Sequence, residues 1–364
     1  MNYVTHKYLD ILENIIDIEH VSRTRELQKA AFAFQPVHHI PTVINYEVPP
    51  DEWPIYRFDE IYENLEKMLI NELRAVYIGA KVQDDRLYGI RANYGTGIIA
   101  SVFGCETRVF GNTLPTGIHV SPQKLAKILE SEDPDINSGL MPRVFETAGY
   151  FRQILSKHPK LSQVIGSQMF DIQGPFDNAS MIWGSDVYYA LYDDPEKVKM
   201  LFSKIKNVIL KSAKRLREID NCPVHEHDGA WNHVGGLVIR LDSCINLSAE
   251  HYTSIVKPFD EQLLKEFGGW IHFCGNANHW WRYLLDIPNL KGINPHQGEF
   301  YDLYELYDEC ERAKVPIIQW TVPMPLEARC RERIKTGISR IVDAKDFNNA
   351  LRLRDILYSS GHAE

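Results

Sequence analysis

Residues 269–279 read Gly-Gly-Trp-Ile-His-Phe-Cys-Gly-Asn-Ala-Asn. A short apolar run that ends in His272-Phe273-Cys274 and breaks at Gly275-Asn276 has the form of a strand delivering an imidazole and a thiol to one face, because strand side chains alternate with period two. At a strand end, such a pair can ligate zinc or hold a reactive thiolate. Taken alone, a His-x-Cys is equally what a packed histidine and an inert buried cysteine look like. The neighbouring strand ends argue for chemistry.

Those ends are rich in the same kinds of side chain. Asp171 and Gln173 close one apolar run, His225, Glu226 and His227 another, His296 and Glu299 a third, and Gln319 a fourth. Each has a bland reading as a satisfied structural polar group. Five strand ends biased the same way, the His272/Cys274 end included, are harder to dismiss, and in an α/β barrel they gather on the carboxyl face, where chemistry resides. Asn93 and Tyr94 stand beside two glycines in Asn93-Tyr94-Gly95-Thr96-Gly97, where a backbone must turn or come close to something. A phosphate loop is excluded, since neither G-x-x-x-x-G-K-[ST] nor G-x-G-x-x-G occurs.

The elements that must position these groups alternate between helix and strand. Leu9, Leu12, Ile15 and Ile16 make a helical stripe in a segment from about Thr5 to Phe34, expected to pack outside the main core. His38 to Tyr46 reads as a first strand, Phe58 to Leu73 as an amphipathic helix, and Ala75 to Val82 as a strand. Ser121-Pro122 starts a helix, and another covers Pro142 to Leu155. A strand follows at Val164 to Phe170, and a long helix begins at Asp193-Asp194-Pro195-Glu196. Ser248 starts the helix that leads into the His272 strand, and the alternation ends in strands at Val315–Trp320 and Gly337–Val342 and a helix from Asp346. With no internal linker and no fixed-period repeat, the pattern predicts an α/β fold, a single (β/α)8 TIM-type barrel over residues 37–364 with an N-terminal helical extension over 1–36.

Composition sets the bounds. The 364 residues are 44% hydrophobic and 24% charged, enough for one barrel-sized core. A formal charge of −9 speaks against a nucleic acid or an anionic membrane as partner, since both favour basic patches. The first residues lack a basic-then-apolar leader and no long uncharged apolar window occurs, so the expected location is cytoplasmic. Six scattered cysteines, Cys105, Cys222, Cys244, Cys274, Cys310 and Cys330, suit reduced thiols better than a disulfide framework.

The chain resembles the uroporphyrinogen decarboxylase superfamily, which includes the corrinoid (cobalamin)-dependent methyltransferases. The resemblance is carried by Asp171-Ile172-Gln173-Gly174-Pro175-Phe176 with Trp183-Gly184, by Tyr192-Asp193-Asp194-Pro195-Glu196, and by Leu247-Ser248-Ala249-Glu250 leading to Val256-Lys257-Pro258-Phe259. Ile271 to Asn276 and Leu290 to Asn294 extend it, so it spans about residues 160 to 295. It implies a (β/α)8 barrel and two chemistries. True uroporphyrinogen decarboxylases hold a polycarboxylate macrocycle with an arginine-rich segment at the first strand. The matching region here, Val43 to Glu52, has no arginine before Arg57, although Arg74, Arg86 or Arg91 are conceivable substitutes.

The methyltransferase branch implies zinc held by a His-x-Cys and a distant cysteine in the last strand region, activating a thiol that accepts a methyl group from a corrinoid protein. His272 and Cys274 match the first two ligands. The last strand contains no cysteine, and Cys310 and Cys330 fall in predicted helices, so Cys244 is the preferred third ligand, with His227, Glu226 and Glu299 as substitutes. Asn93, Tyr94, Trp183, Asn276, His296, Glu299 and Gln319 are the candidates for holding substrate. The expected partners are a small-molecule substrate, a corrinoid protein and a second copy of the chain in a homodimer. One alternative is a metal-free decarboxylase in which Asp171, Asp84 or Asp85 steers protonation and His225 or His227 donates the proton. Another is a non-catalytic binding barrel, because a shared fold does not settle function.

Overall fold

The computed structural model describes residues 3–109, 111–113, 115–220, 233–324 and 332–359. His225, Glu226, His227, Cys222 and Cys330, and with them the strand end expected at 223–229, lie outside the described residues. Eleven strands occur among the described residues: β1 (Thr42–Tyr46), β2 (Tyr88–Ile90), β3 (Glu106–Arg108), β4 (Thr116–Ile118), β5 (Ile165–Ser167), β6 (Ile172–Gln173), β7 (Leu237–Arg240), β8 (Gly269–Phe273), β9 (Leu290–Pro295), β10 (Ile317–Trp320) and β11 (Ile338–Ala344). Seven form one sheet in the order β1-β11-β10-β9-β8-β7-β6, with every pairing parallel. The pair β2–β5 is also parallel, and β3–β4 is a separate antiparallel hairpin. Helices fill most of the connections, which is the right arrangement for parallel strands, whose crossovers need a dozen or more residues.

The core strands are mostly apolar and β7 and β8 are buried at every position, as expected where helices cover a parallel sheet; Arg240 and His272 are the polar exceptions in these two. Local chemistry starts the helices that pack on them. Ser121 accepts the Lys124 amide at 3.3 Å ahead of Pro122–Glu130, and Ser248 accepts the His251 amide at 3.1 Å ahead of Ala249. The segment Ala75 to Val82 corrects the strand expectation: it is the end of one helix, Leu65–Val82, capped by Asn64 accepting from the Lys67 amide. Its last turns are buried nearly all round, so no polar face interrupts the apolar run and periodicity alone misreads it.

At the N-terminus there are two helices, Tyr3–Ile15 and Ile18–Phe32. They do not pack outside the main core, as the stripe suggested. Leu9 and Leu12 are fully buried and belong to the same apolar cluster as the sheet. The second helix lies across the amino-terminal ends of several strands. Its Gln28 donates to the Asp85 carbonyl just before β2 and accepts from the Val234 amide just before β7, while its Ala31 carbonyl accepts from the Gly337 amide just before β11. With that end covered, the carboxyl ends remain for a site.

Where β1 meets the segment before β2, side chains do the joining. Asp84, completely buried, accepts the Ile44 amide at 2.7 Å, and its partner Arg86 donates to the Ile44 carbonyl at 2.7 Å. Gly79 is the residue that lets Arg86 lie flat, because an added Cβ there would sit 2.5 Å from the arginine Cδ.

Candidate functional site

The register of four adjacent strands aligns a row of polar residues. Gln173 of β6 pairs with Arg240 of β7, Arg240 with His272 of β8, and His272 with Asn294 of β9. Side chains two residues further along share that face, and they are Asp242, Cys274 and His296. Two stacked layers of functional groups thus stand at the carboxyl ends, the first made of Gln173, Arg240, His272 and Asn294, the second of Asp242, Cys274 and His296.

Where the two layers meet, the ligand-type atoms of Asp242, His272 and Cys274 lie within 4.8 Å of one another. His272 Nε2 is 3.3 Å from Cys274 Sγ and 3.3 Å from Asp242 Oδ1. Its other nitrogen, Nδ1, is 2.6 Å from Asn294 Oδ1. Asn294 Nδ2 donates to the Ile318 carbonyl at 2.6 Å, which leaves Oδ1 as the atom facing the ring. An amide oxygen can only accept, so the hydrogen-bond network assigns the proton to Nδ1 and turns Nε2 toward the thiol and the carboxylate. A neutral ring would set a bare lone pair against a carboxylate oxygen. The Cys274 S–H donated to Nε2 at 3.3 Å, or a metal cation shared by the three groups, reconciles the contact, and the orienting amide behind the histidine is the arrangement that metal-ligating histidines use.

The titration behaviour follows from these contacts. Burial would raise the Asp242 carboxyl, but the contacts from His272 and Cys274 hold it below the usual range. Burial and the Asp242 charge push the Cys274 thiol up to about 12. The His296 imidazole, at the rim with its ring centroid 5.6 Å from that of His272, is held below its ordinary value by partial desolvation and by His272. Asp242 and Cys274 are only partly covered whereas His272 is buried, so the cluster opens to one side.

Beneath the layers runs a charged network. Buried Asp171 pairs with both Arg91 and Arg240, and Arg91 in turn takes Glu72 as the partner of its backbone amide at 3.1 Å. Burial works against the Arg91 charge, but Asp171 and Glu72 more than offset it; Arg240 is lowered by burial, which Asp171 only partly counters.

Cys244 does not join the pair, which corrects the expected third ligand. The chain turns into a 3-10 helix at Ser243–Asn246, and this carries the thiol inward, fully buried, where it donates to Asp177 Oδ2 at 3.8 Å. Asp242, one step before that turn, is the group left facing His272. Asp177 helps to place it by accepting the Ser243 amide at 2.7 Å. Glu299 is exposed and is not among the clustered ligands.

The other substrate candidates scatter. Tyr94 is buried with its hydroxyl 2.8 Å from Thr147, and Asn93 donates to Glu72 at 2.9 Å. Trp183 ends the helix Pro175–Trp183 as a partly buried packing residue, and exposed Asn276 accepts the Asn278 amide within its own turn. Gln319 has a left-handed backbone (φ 54°), and its amide nitrogen lies 3.4 Å from His233, which stacks on Phe32 of the covering helix. Gln319 therefore points away from the metal-type cluster. Sequence reasoning passed over Arg240, Asp242 and Asn294. Their signal was present in Arg240-x-Asp242, the same alternate spacing as His272-x-Cys274, and in Asn294 at a strand end.

Asp177 supports a stability prediction. Burial is the main cause that raises its carboxyl from 3.8 to about 7, the Ser243 amide opposing. The folded state thus holds the proton more tightly than the unfolded chain. The associated stability is present below about 4 and is lost as pH rises through about 7, on the order of 4 kcal/mol at the limit. Asp177→Asn is expected to flatten that decline in urea unfolding between about pH 4 and about pH 7; an unchanged slope would assign the pH dependence to other groups.

No family model matches the sequence, and no curated protein matches it. Among solved structures, a methyltransferase from Methanosarcina mazei aligns with a TM-score of 0.64 at 16% sequence identity, covering 92% of this chain and 98% of that one. A likeness at that identity carries the fold: a mixed α/β architecture built on a parallel sheet. No helix among the described residues is long and apolar enough to cross a membrane.

Proposed function

We propose that the chain is a zinc-dependent methyltransferase of the uroporphyrinogen decarboxylase superfamily type, with zinc held by His272, Cys274 and Asp242. One observation carries this reading: three electron-pair donors converge within 4.8 Å, with an amide behind the histidine that turns Nε2 into the cluster. The donor set of one imidazole, one thiolate and one carboxylate suits zinc, and an open side suits a catalytic rather than a structural site. The fold likeness to a methyltransferase agrees with it. We read the seven-strand sheet and the β2–β5 pair as two arcs of one (β/α)8 barrel over residues 37–364, entered from a helical extension over 1–36. The helix Ile18–Phe32 supports this by binding residues that precede β2, β7 and β11 alike.

Zinc bound here would supply Lewis acidity that favours the deprotonated form of a thiol substrate at neutral pH. The protein's own groups do the rest. Asn294 fixes the His272 ring; Asp177 and the Ser243 turn fix Asp242; Arg240 places positive charge beside Cys274 and favours its thiolate. His296, whose charged form is disfavoured by partial desolvation and by His272, is the rim base placed to receive a substrate thiol's proton at a ring nitrogen. The methyl donor in this reading is a corrinoid carried by a partner protein. The decarboxylase alternative is less well served, because Arg91 and Arg240 are both committed to Asp171 rather than set out for a polycarboxylate.

The experiment is metal uptake by the purified chain. Stoichiometric zinc is expected, with apparent affinity rising about tenfold per pH unit between about pH 7 and 9, because the Cys274 proton must leave. Protein that takes up no zinc under reducing conditions, or whose affinity ignores pH, would remove the thiolate-zinc mechanism.

A further inference from the structure

A second cleft, of 410 Å³, lies between the end of β1 and the helix Leu65–Val82 and shares no residue with the site above. Its size falls within the range of small-molecule pockets. Its walls include Tyr46, Arg74 and Asn71, with Ala75, Ile78 and Ile55 supplying apolar surface. Ile55 is 64% exposed, an aliphatic side chain left at the mouth with little to cover it.

Two of the polar groups are unusual. Tyr46 is only 5% exposed, yet its hydroxyl is buried without a hydrogen-bond partner. Arg74 forms no ion pair among the described residues; one Nη2 bond to the Val48 carbonyl at 3.2 Å is made, while its Nε is buried and unsatisfied. Buried polar groups are nearly always paired, and orphans in a cleft call for a partner that the protein does not supply. The neighbouring charges are already committed. Arg86 is neutralised by Asp84, and Glu52 is engaged by the Tyr77 hydroxyl and by Lys81 at 3.3 Å. Asn71 is fixed by two bonds to the Tyr56 backbone. What remains unmatched is one guanidinium and one phenolic hydroxyl.

We propose that this cleft binds a small carboxylate with a short aliphatic tail, its oxygens meeting Arg74 and the Tyr46 hydroxyl and its tail lying on Ile78, Ala75 and Ile55. The Arg74 guanidinium can only donate and is cationic, which selects an anionic acceptor, and the Tyr46 hydroxyl can donate a second hydrogen bond to it. Burial and the Glu52 charge raise the Tyr46 phenol to about 12, so it keeps the proton it donates. The apolar wall favours a carbon tail over a fully hydrated ion.

The test is calorimetric titration of the full chain with butyrate, with butyramide and inorganic phosphate as controls. Saturable butyrate binding is expected, about tenfold or more weaker in Arg74→Gln and about threefold or more weaker in Tyr46→Phe. Butyramide should not bind measurably. The circular dichroism spectrum should be unchanged in both variants, which shows that each is folded. Absence of saturable butyrate binding, equal affinity in both variants and wild type, or equal binding of butyramide would each overturn the assignment. Phosphate binding with the same variant dependence, in place of butyrate, would overturn the aliphatic part of it.

Discussion

His272→Ala, Cys274→Ala and Asp242→Asn are each expected to weaken zinc binding by about 100-fold or more, while Cys244→Ser leaves it unchanged. The contrast follows from where the groups lie. His272 Nε2 is 3.3 Å from both Cys274 Sγ and Asp242 Oδ1, whereas Cys244 is buried against Asp177 with its thiol pushed well up, mainly by burial and by that carboxylate. Asparagine is the better probe at Asp242, because an amide oxygen can still accept the Cys274 backbone amide, now bound at 2.9 Å. Competition with a chromophoric chelator gives the affinities, and circular dichroism checks that the fold persists. It should persist, since the buried apolar core, with Trp270, Ile271 and Phe273 on the same strand at 0% exposure, holds the sheet and its helices together without the metal. Loss of zinc in Cys244→Ser, or its retention in Asp242→Asn, would sink the ligand assignment.

Asp84→Ala is expected to destabilise the protein by about 3–5 kcal/mol, the range for removing one partner of a buried ion pair. Arg86 is 1% exposed and Asp84 0%. Both carboxylate oxygens accept from Arg86 Nε at 3.0 Å, and Asp84 also accepts the Ile44 and Arg86 amides. Alanine would leave a buried guanidinium without its counter-charge and the β1 amide of Ile44 without an acceptor. The same pair links β1 to the segment that leads into β2. Urea unfolding measures the effect, and a loss below about 1 kcal/mol would show that the junction is held by something other than this pair.

Much of the architecture was legible in the chain. Largely apolar runs such as Leu290 to Pro295 and Val315 to Trp320 are too short for buried helices and are followed by polar residues, so strands with chemistry at their ends could be read from period and punctuation. His272 and Cys274 could be placed on one face because alternation is a property of the extended backbone itself. Ala75 to Val82 could not be read correctly, since a helix buried on nearly every side loses the polar stripe that distinguishes it from a strand. Nor could the third member of the cluster. Asp242 and Cys244 are two residues apart, and which one meets His272 depends on the tight turn that begins at Ser243 and on Asp177, 66 residues earlier, accepting that turn's first amide. Sequence spacing carries the direction of side chains along one strand. The row Gln173, Arg240, His272 and Asn294 exists only through the register between strands, which is set by hydrogen bonding and packing across segments distant in the chain.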